Sequence, residues 1–334
     1  MRSYLIRRAL LTIPTLIIVT MIVFMLVRFI PGDVLDMMVA EMSEETGEEF
    51  ADIEGLRRQL GLDQPIPIQY GRWLGVWPQA VDGPYEGAVS GLFQGDLGKS
   101  LWTNEPITDI MRQRLPVSIE LGFFSLVIAY LVALPIGVFA ATRQDSVTDY
   151  SGRLFAVIML SLPNFWIATM VIVYPSIWWG TMPNIVYVPL AENVIENLKQ
   201  FLLPAFITGA SSSAMTMRLT RTMMLEVLRQ DYIRTAWSKG LTERAVLLKH
   251  AVKNAFIPVI TVMGARLPSV LSGQIILETI FALPGIGRVF IAALGQRDYP
   301  IISAINTMIA IAVLIMNVIV DIAYAWLDPR IRYK

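Results

Sequence analysis

Six long apolar runs decide what this chain can fold into. They cover about Ala9–Ile30, Val117–Ala141, Leu154–Trp178, Phe201–Met217, Ala255–Phe281 and Ile301–Trp326. Inside a bilayer a backbone must satisfy its own N–H and C=O groups, and about 20 apolar residues of helix suffice to cross. The runs therefore predict an all-α membrane protein with six transmembrane helices. Composition agrees: 55% of the 334 residues are hydrophobic and 16% are charged, less charge than a soluble domain carries. The fourth run is short and rich in small residues. Its Gly209-Ala-Ser-Ser-Ser-Ala214 segment fits either close helix packing or a polar, pore-facing stretch.

The first run follows Arg2, Arg7 and Arg8, flanks that suit a signal peptide or a retained span. Its apolar core is long for a signal and no small-x-small cleavage site follows, so it reads as a span. Pro14 is tolerable within lipid, and Arg28 near the far end can snorkel. Six spans leave both termini on one side. Lysines and arginines cluster at the N-terminus, at Arg143 and Arg153, along 218–253, and at Arg330, Arg332 and Lys334. The positive-inside rule places those segments, and both termini, in the cytoplasm.

Residues 31–116 then form the one large external segment, with 15 acidic residues against six basic ones. Helices are expected over about 49–62 and 69–76, and a Gly/Pro/Asp-rich loop over 79–91. Trp73, Trp77 and Trp102 fit contact with the membrane interface or with a partner. Gly98-Lys99-Ser100 imitates the end of a phosphate-binding loop. That motif needs a glycine five residues before Gly98, where Phe93 stands, so nucleotide binding is not expected there. Residues 281–300 are too broken by Pro284, Gly285 and Gly287 for a span, and 288–294 fits a short external helix. The last span carries Asn317 and Asp321.

Several functions are excluded early. The chain has no cysteine and one histidine, His250. It cannot build a thiolate metal site, an imidazole metal site of the usual kind, or a hydrolytic triad. Lysine plus arginine equals aspartate plus glutamate at 27 each, so net charge argues for neither a nucleic-acid nor an acidic partner. An ion-coupled secondary transporter predicts repeated halves with broken helices and intramembrane carboxylates. No repeat is visible, and Glu278 and Asp321 fall near span ends.

The stretch from Leu225 to Pro258 is basic and reads as two amphipathic helices. Leu225, Leu228, Tyr232 and Ala236 recur at helical spacing in the first. Gly240 can turn the chain through positive φ. Thr242 fits an N-cap for the second, with Leu241, Ala245, Leu248, Val252 and Ala255 as its apolar stripe. By spacing alone, an ordinary pair of membrane-surface helices fits equally well.

Tyr232-Ile-Arg-Thr-Ala-Trp-Ser-Lys-Gly240 followed by a basic helix resembles the "EAA" coupling loop of ABC-importer permease subunits. Ala236 and Gly240 match that motif. Arg234 replaces its glutamate and Val252-Lys253 its Leu-Pro, departures similar to those of the dipeptide/oligopeptide/nickel branch. Other pieces follow in the family's order: Pro31-Gly-Asp33, Leu60-Gly-Leu-Asp-Gln-Pro65, the GDLG-K-S segment, Arg114-Leu-Pro116, Ser161-Leu-Pro-Asn-Phe-Trp166, Glu278–Gly287, Arg297-Asp-Tyr-Pro300 and Asp328-Pro-Arg. Residues 79–94 read as a local insertion.

The resemblance implies a non-enzymatic, channel-forming subunit in the inner membrane that moves di- or oligopeptides. Nickel chelates or glutathione are alternative cargoes. It implies a second permease, two cytoplasmic ATPases that bind the ATP and Mg2+, and an external binding protein; this subunit itself would carry no cofactor. Its boundaries would be 1–30, 31–116, 117–326 and a tail at 327–334, with the coupling loop at 225–258. Tyr232, Arg234, Thr235, Ala236, Trp237 and Gly240 would face the ATPase. Asn164, Arg266, Ser272 and Gln274 are the polar candidates for the translocation path. Arg266 stands out because a charge centred in a span costs about 2.5–3.5 kcal/mol.

Overall fold

The computed structural model describes residues 2–28, 53–59, 61–79, 87–181, 186–270 and 274–327. The expectations at Pro31–Asp33, 80–86, Ser272 and the 328–334 tail fall outside the described residues, as do the side chains of Arg28 and Asp321. The regular structure of the described residues is helical, with one isolated bridge between Lys99 and Pro106.

The helices are α1 (Arg2–Arg28), α2 (Ile53–Gln59), α3 (Ile66–Leu74), α4 (Ile107–Thr142), α5 (Val147–Ser161) and α6 (Asn164–Trp179). They continue as α7 (Val194–Leu228), α8 (Asp231–Ser238), α9 (Glu243–Ala265), α10 (Ile275–Ile280), α11 (Ile286–Gln296) and α12 (Tyr299–Leu327). Side chains start them where the sequence allows. Asn193 Oδ1 accepts from the amides of Ile195 and Glu196 at the head of α7 (3.1 and 3.2 Å), an N-cap that satisfies otherwise orphaned donors.

The apolar runs do not map one to one onto straight spans. Among the described residues, Ile107–Thr142, Glu243–Ala265 and Tyr299–Val320 are long and apolar enough to cross a membrane. The third run is two helices, α5 and α6, bent by 93°. The cause is Pro163, which disfavours helical geometry at the residue before it; Leu162 is extended (φ −92°, ψ 125°). The fifth run is interrupted as well. Helix α9 ends at Ala265, and a single 3₁₀ turn at Leu267–Val270 follows, with Pro268 inside it.

The chain divides into two compact units, one of 116–288 with 315–334, the other of 2–115 with 289–314. In the first, Val117 and Leu121 of α4, Phe201 and Ala205 of α7, and Leu277 and Phe281 form a buried core. The small residues at 209–214 serve close packing: a Cβ on Gly209 would meet the Ser125 carbonyl oxygen at 2.7 Å. Glu278, 0% exposed, caps the head of α11. Its Oε2 accepts from Gly287 N at 2.7 Å, and Ser118 Oγ accepts from Ile286 N at 2.8 Å.

In the second unit Asp298 is the polar hub. Its Oδ2 accepts from Ser100 Oγ (2.6 Å) and Leu101 N (3.2 Å). Ser100 Oγ in turn accepts from the amides of Trp102 and Thr103. The Gly98-Lys99-Ser100 segment is a turn tied to Asp298. The three tryptophans separate: Trp73 packs on Phe24, Trp102 Nε1 donates to the Gln296 carbonyl at 2.9 Å, and Trp77 is exposed.

Candidate functional site

The 225–258 stretch folds as two helices around Gly240, though not with the boundaries or the inner face that spacing predicts. Helix α7 runs on to Leu228, and the chain breaks at Gln230 (φ −73°, ψ 149°) before α8 begins. Gly240 takes φ +74° and a Cβ there would meet nothing within 4 Å. The turn needs the angle, not the space. Thr242 holds the N-cap position without a side-chain hydrogen bond.

The inner face of α8 is Ile233 and Ala236, the latter only 6% exposed. Both pack with Met224 of α7 and Ala141 of α4. On α9 the buried residues are Val246, Ala251, Ala255 and Val259, while Leu241 and Leu248 of the expected stripe are exposed. The reason is a π-helical segment over Val246–Val252. Its i→i+5 pattern stacks Ala251 over Val246 and turns the face away from the 3.6-residue repeat. Asn254 Nδ2 donates to Tyr232 Oη at 3.0 Å, tying α9 back to α8.

The outer face of this pair carries Tyr232, Arg234, Thr235, Trp237, Lys239 and Gly240, all exposed. Arg234 reaches Asp231 at 3.4 Å, but both side chains are open to solvent, so the pair contributes little. Of the six residues expected to face the ATPase, Ala236 alone points inward.

A buried ion pair braces this end of the unit, and sequence spacing missed it. Asp149 of α5 is 0% exposed. Arg221 of α7 grips it bidentately, Nε to Oδ1 at 2.7 Å and Nη2 to Oδ2 at 2.8 Å. Arg153 adds a contact at 3.3 Å, and Asp145 N donates to Oδ2 at 3.1 Å. The partners lie 72 positions apart, and nothing in the residues around either one points to the other.

Three of the four path candidates, Asn164, Arg266 and Gln274, lie among the described residues. Asn164 opens α6 directly after Pro163, and its Oδ1 is a buried atom without a hydrogen-bond partner. Arg266 sits at the end of α9 rather than mid-helix, donating to the Ser212 carbonyl at 3.3 Å and lying 3.2 Å from Met215 Sδ. Gln274 is bound within the chain: Thr208 Oγ1 donates to its Oε1 at 2.6 Å, and its Nε2 donates to Ser125 Oγ at 2.9 Å. It joins α4 to α7.

Comparison with known proteins places these features in a wider group. Residues 133–333 match the model of "Binding-protein-dependent transport system inner membrane component", and residues 1–122 match that family's N-terminal component. The chain is 36% identical over 337 residues to the oligopeptide transport system permease protein AppB of Bacillus subtilis (strain 168), covering all of both chains. It is 35% identical over 357 residues to the dipeptide transport system permease protein DppB of Escherichia coli (strain K12), again covering both fully. A putative peptide transport system permease protein of Brucella abortus (strain 2308) is 36% identical over 333 residues, and also covers both chains. A solved amino acid ABC transporter with histidines overlays at TM-score 0.46 and 15% identity, over 67% of this chain and 94% of its own.

Proposed function

Because this chain belongs to the family of binding-protein-dependent transport system inner membrane components, we propose that it is the channel-forming permease subunit of an ABC importer for di- and oligopeptides. The observation that carries this is end-to-end similarity to relatives named as oligopeptide and dipeptide permeases. Those names favour peptides over nickel chelates. The subunit crosses the membrane six times with both termini in the cytoplasm. A second permease, two ATPases holding ATP and Mg2+, and an external binding protein complete the transporter.

Helices α8 and α9 couple ATP hydrolysis to the spans. Their inner face is locked to α4 and α7 through Ile233, Ala236 and Val246, so a push on the outer face reaches both helices. Tyr232, Arg234, Thr235 and Trp237 supply that outer face, and Gly240 sets its turn. Ala236 acts from inside by letting α8 lie close to its neighbours.

Asn164, Arg266 and Ser272 are the polar residues of the path, with Gln274 holding two helices beside it. A guanidinium matches a peptide carboxylate in a bidentate pair, and Arg266 is that candidate. Arg266→Gln is expected to assemble and keep basal ATPase while lowering peptide uptake, less so for a C-terminally amidated peptide. Unchanged uptake would remove Arg266 from the path.

The function itself is tested in proteoliposomes holding the four membrane and ATPase subunits. Uptake of a labelled peptide is expected only with internal ATP and external binding protein. Uptake driven by an ion gradient without ATP would overturn the reading.

A further inference from the structure

We infer that α3 and the turn after it form a lipid-embedded patch of the bilayer interface, on the side of the 31–116 segment. The segment is acidic, and its tryptophans fit either the membrane interface or a partner. The contacts made by α3 favour the membrane. Tyr70 Oη lies 2.9 Å from Thr20 Oγ1 and 3.3 Å from the Ile17 carbonyl of α1. Phe24 packs on both Tyr70 and Trp73, ring centroids 5.4 and 5.7 Å apart. Thr20 and Phe24 are buried by these contacts.

Their depth follows from helix geometry. Phe24 precedes Arg28 by four residues and Thr20 by eight, about 6 and 12 Å along the axis. Both lie inside the apolar run that ends at Ile30. The tyrosine side chain reaches down from α3 to the level of Thr20, so α3 itself rests near the level of Phe24. That is the depth of an in-plane amphipathic helix, about 5–10 Å below the headgroup boundary.

The surface around α3 fits the same occupant. Val76, Trp77 (53% exposed), Val89 and Phe93 (62% exposed) are large apolar side chains left open. They belong to one lobe: Gln94 Nε2 donates to the Gly75 carbonyl at 3.0 Å, Gln79 N to the Ala88 carbonyl at 3.0 Å, and Gln79 Nε2 to the Ser90 carbonyl. On α1, Leu10, Leu11, Ile13, Ile18 and Ile22 are also exposed, as a lipid-facing helix requires. The patch belongs to the same compact unit as α1. Phospholipid covers it, with Trp77 at the interface where indole rings concentrate.

This rests on α1 crossing the bilayer, but not on the cargo. The native chain has no cysteine, so nitroxide labels can be placed singly at Trp77→Cys and Phe93→Cys in the assembled transporter in lipid nanodiscs. Collision with oxygen is compared with collision with a water-soluble nickel chelate. Ile18→Cys on α1 is the lipid reference, and Glu105→Cys the aqueous one. Labels at 77 and 93 are expected to show the oxygen excess of Ile18→Cys, unchanged when binding protein is added. Nickel-chelate access like that of Glu105→Cys would overturn the inference, as would protection that arises only with binding protein, the mark of a protein-docking surface. A water-exposed Ile18→Cys label would overturn the span reading and this inference together. If Trp77→Cys does not assemble, Val76→Cys and Val89→Cys report the same surface.

Discussion

Arg221 and Asp149 form a bidentate ion pair between α7 and α5, with the carboxylate wholly buried and both contacts under 3 Å (2.7 and 2.8 Å). Breaking a buried pair from one side costs about 3–5 kcal/mol, because the other charge stays behind. Arg221 is 18% exposed, so the lower end applies. Asp149→Asn and Arg221→Gln are each expected to lower the thermal midpoint of the solubilised complex. The double variant is expected to lose less than the sum. Strict additivity would show that the two residues are not coupled.

Gly240 offers a clean separation of angle from space. Its φ is +74°, and no atom lies within 4 Å of where a Cβ would stand. Valine at such an angle costs about 1–3 kcal/mol, whereas asparagine adopts it readily. Gly240→Val is expected to abolish ATPase stimulation by peptide-loaded binding protein, and Gly240→Asn to retain most of it. Equal loss in both would mean that the outer face needs a bare backbone at 240.

Ala236 and Trp237 are neighbours in sequence but face opposite ways. Ala236→Leu overpacks the site against Met224 and Ala141, at about 1–3 kcal/mol, and is expected to reduce the yield of assembled complex. Trp237→Ala removes an exposed ring, so it is expected to assemble normally while weakening stimulated ATPase. Co-purification with the ATPase subunits and stimulated turnover read the two effects separately.

Asp298 is expected to make stability depend on pH. Burial pushes its carboxyl above the usual range, against hydrogen bonds from Ser100 and the amides of Ile301 and Leu101. A raised folded pKa means that folding takes up a proton. The stabilisation is complete below the unfolded value of about 3.9 and is lost as pH rises through the folded value. Asp298→Asn cannot titrate. The thermal midpoint of the native chain relative to this variant is therefore expected to fall as pH rises from acid toward neutral. A difference independent of pH would show that Asp298 does not carry the effect.

Local chemistry is legible in this sequence wherever it depends on a few adjacent residues. The helical class follows from apolar runs in a chain with little charge, because lipid leaves the backbone few alternatives. The turn at Gly240 follows from a single residue type. The inner face of α9 was not legible. A π-helical segment shifts the period from within, and of the expected stripe only Ala255 is among the buried residues.

The sequence by itself determined the membrane class, the helical turn of the 225–258 element and the motifs by which it resembles its family. Each of these is written in composition or in neighbouring residues. Only the tertiary structure decided which helices pack on Ile233 and Ala236, namely α4 through Ala141 and α7 through Met224. It alone brought Arg221 to Asp149, Gln274 to Ser125 and Thr208, and Tyr70 to Thr20. The physical reason is distance along the chain. A hydrogen bond or ion pair forms over about 3 Å, and residues about 50 to 150 positions apart reach that separation only when the helices carrying them have packed.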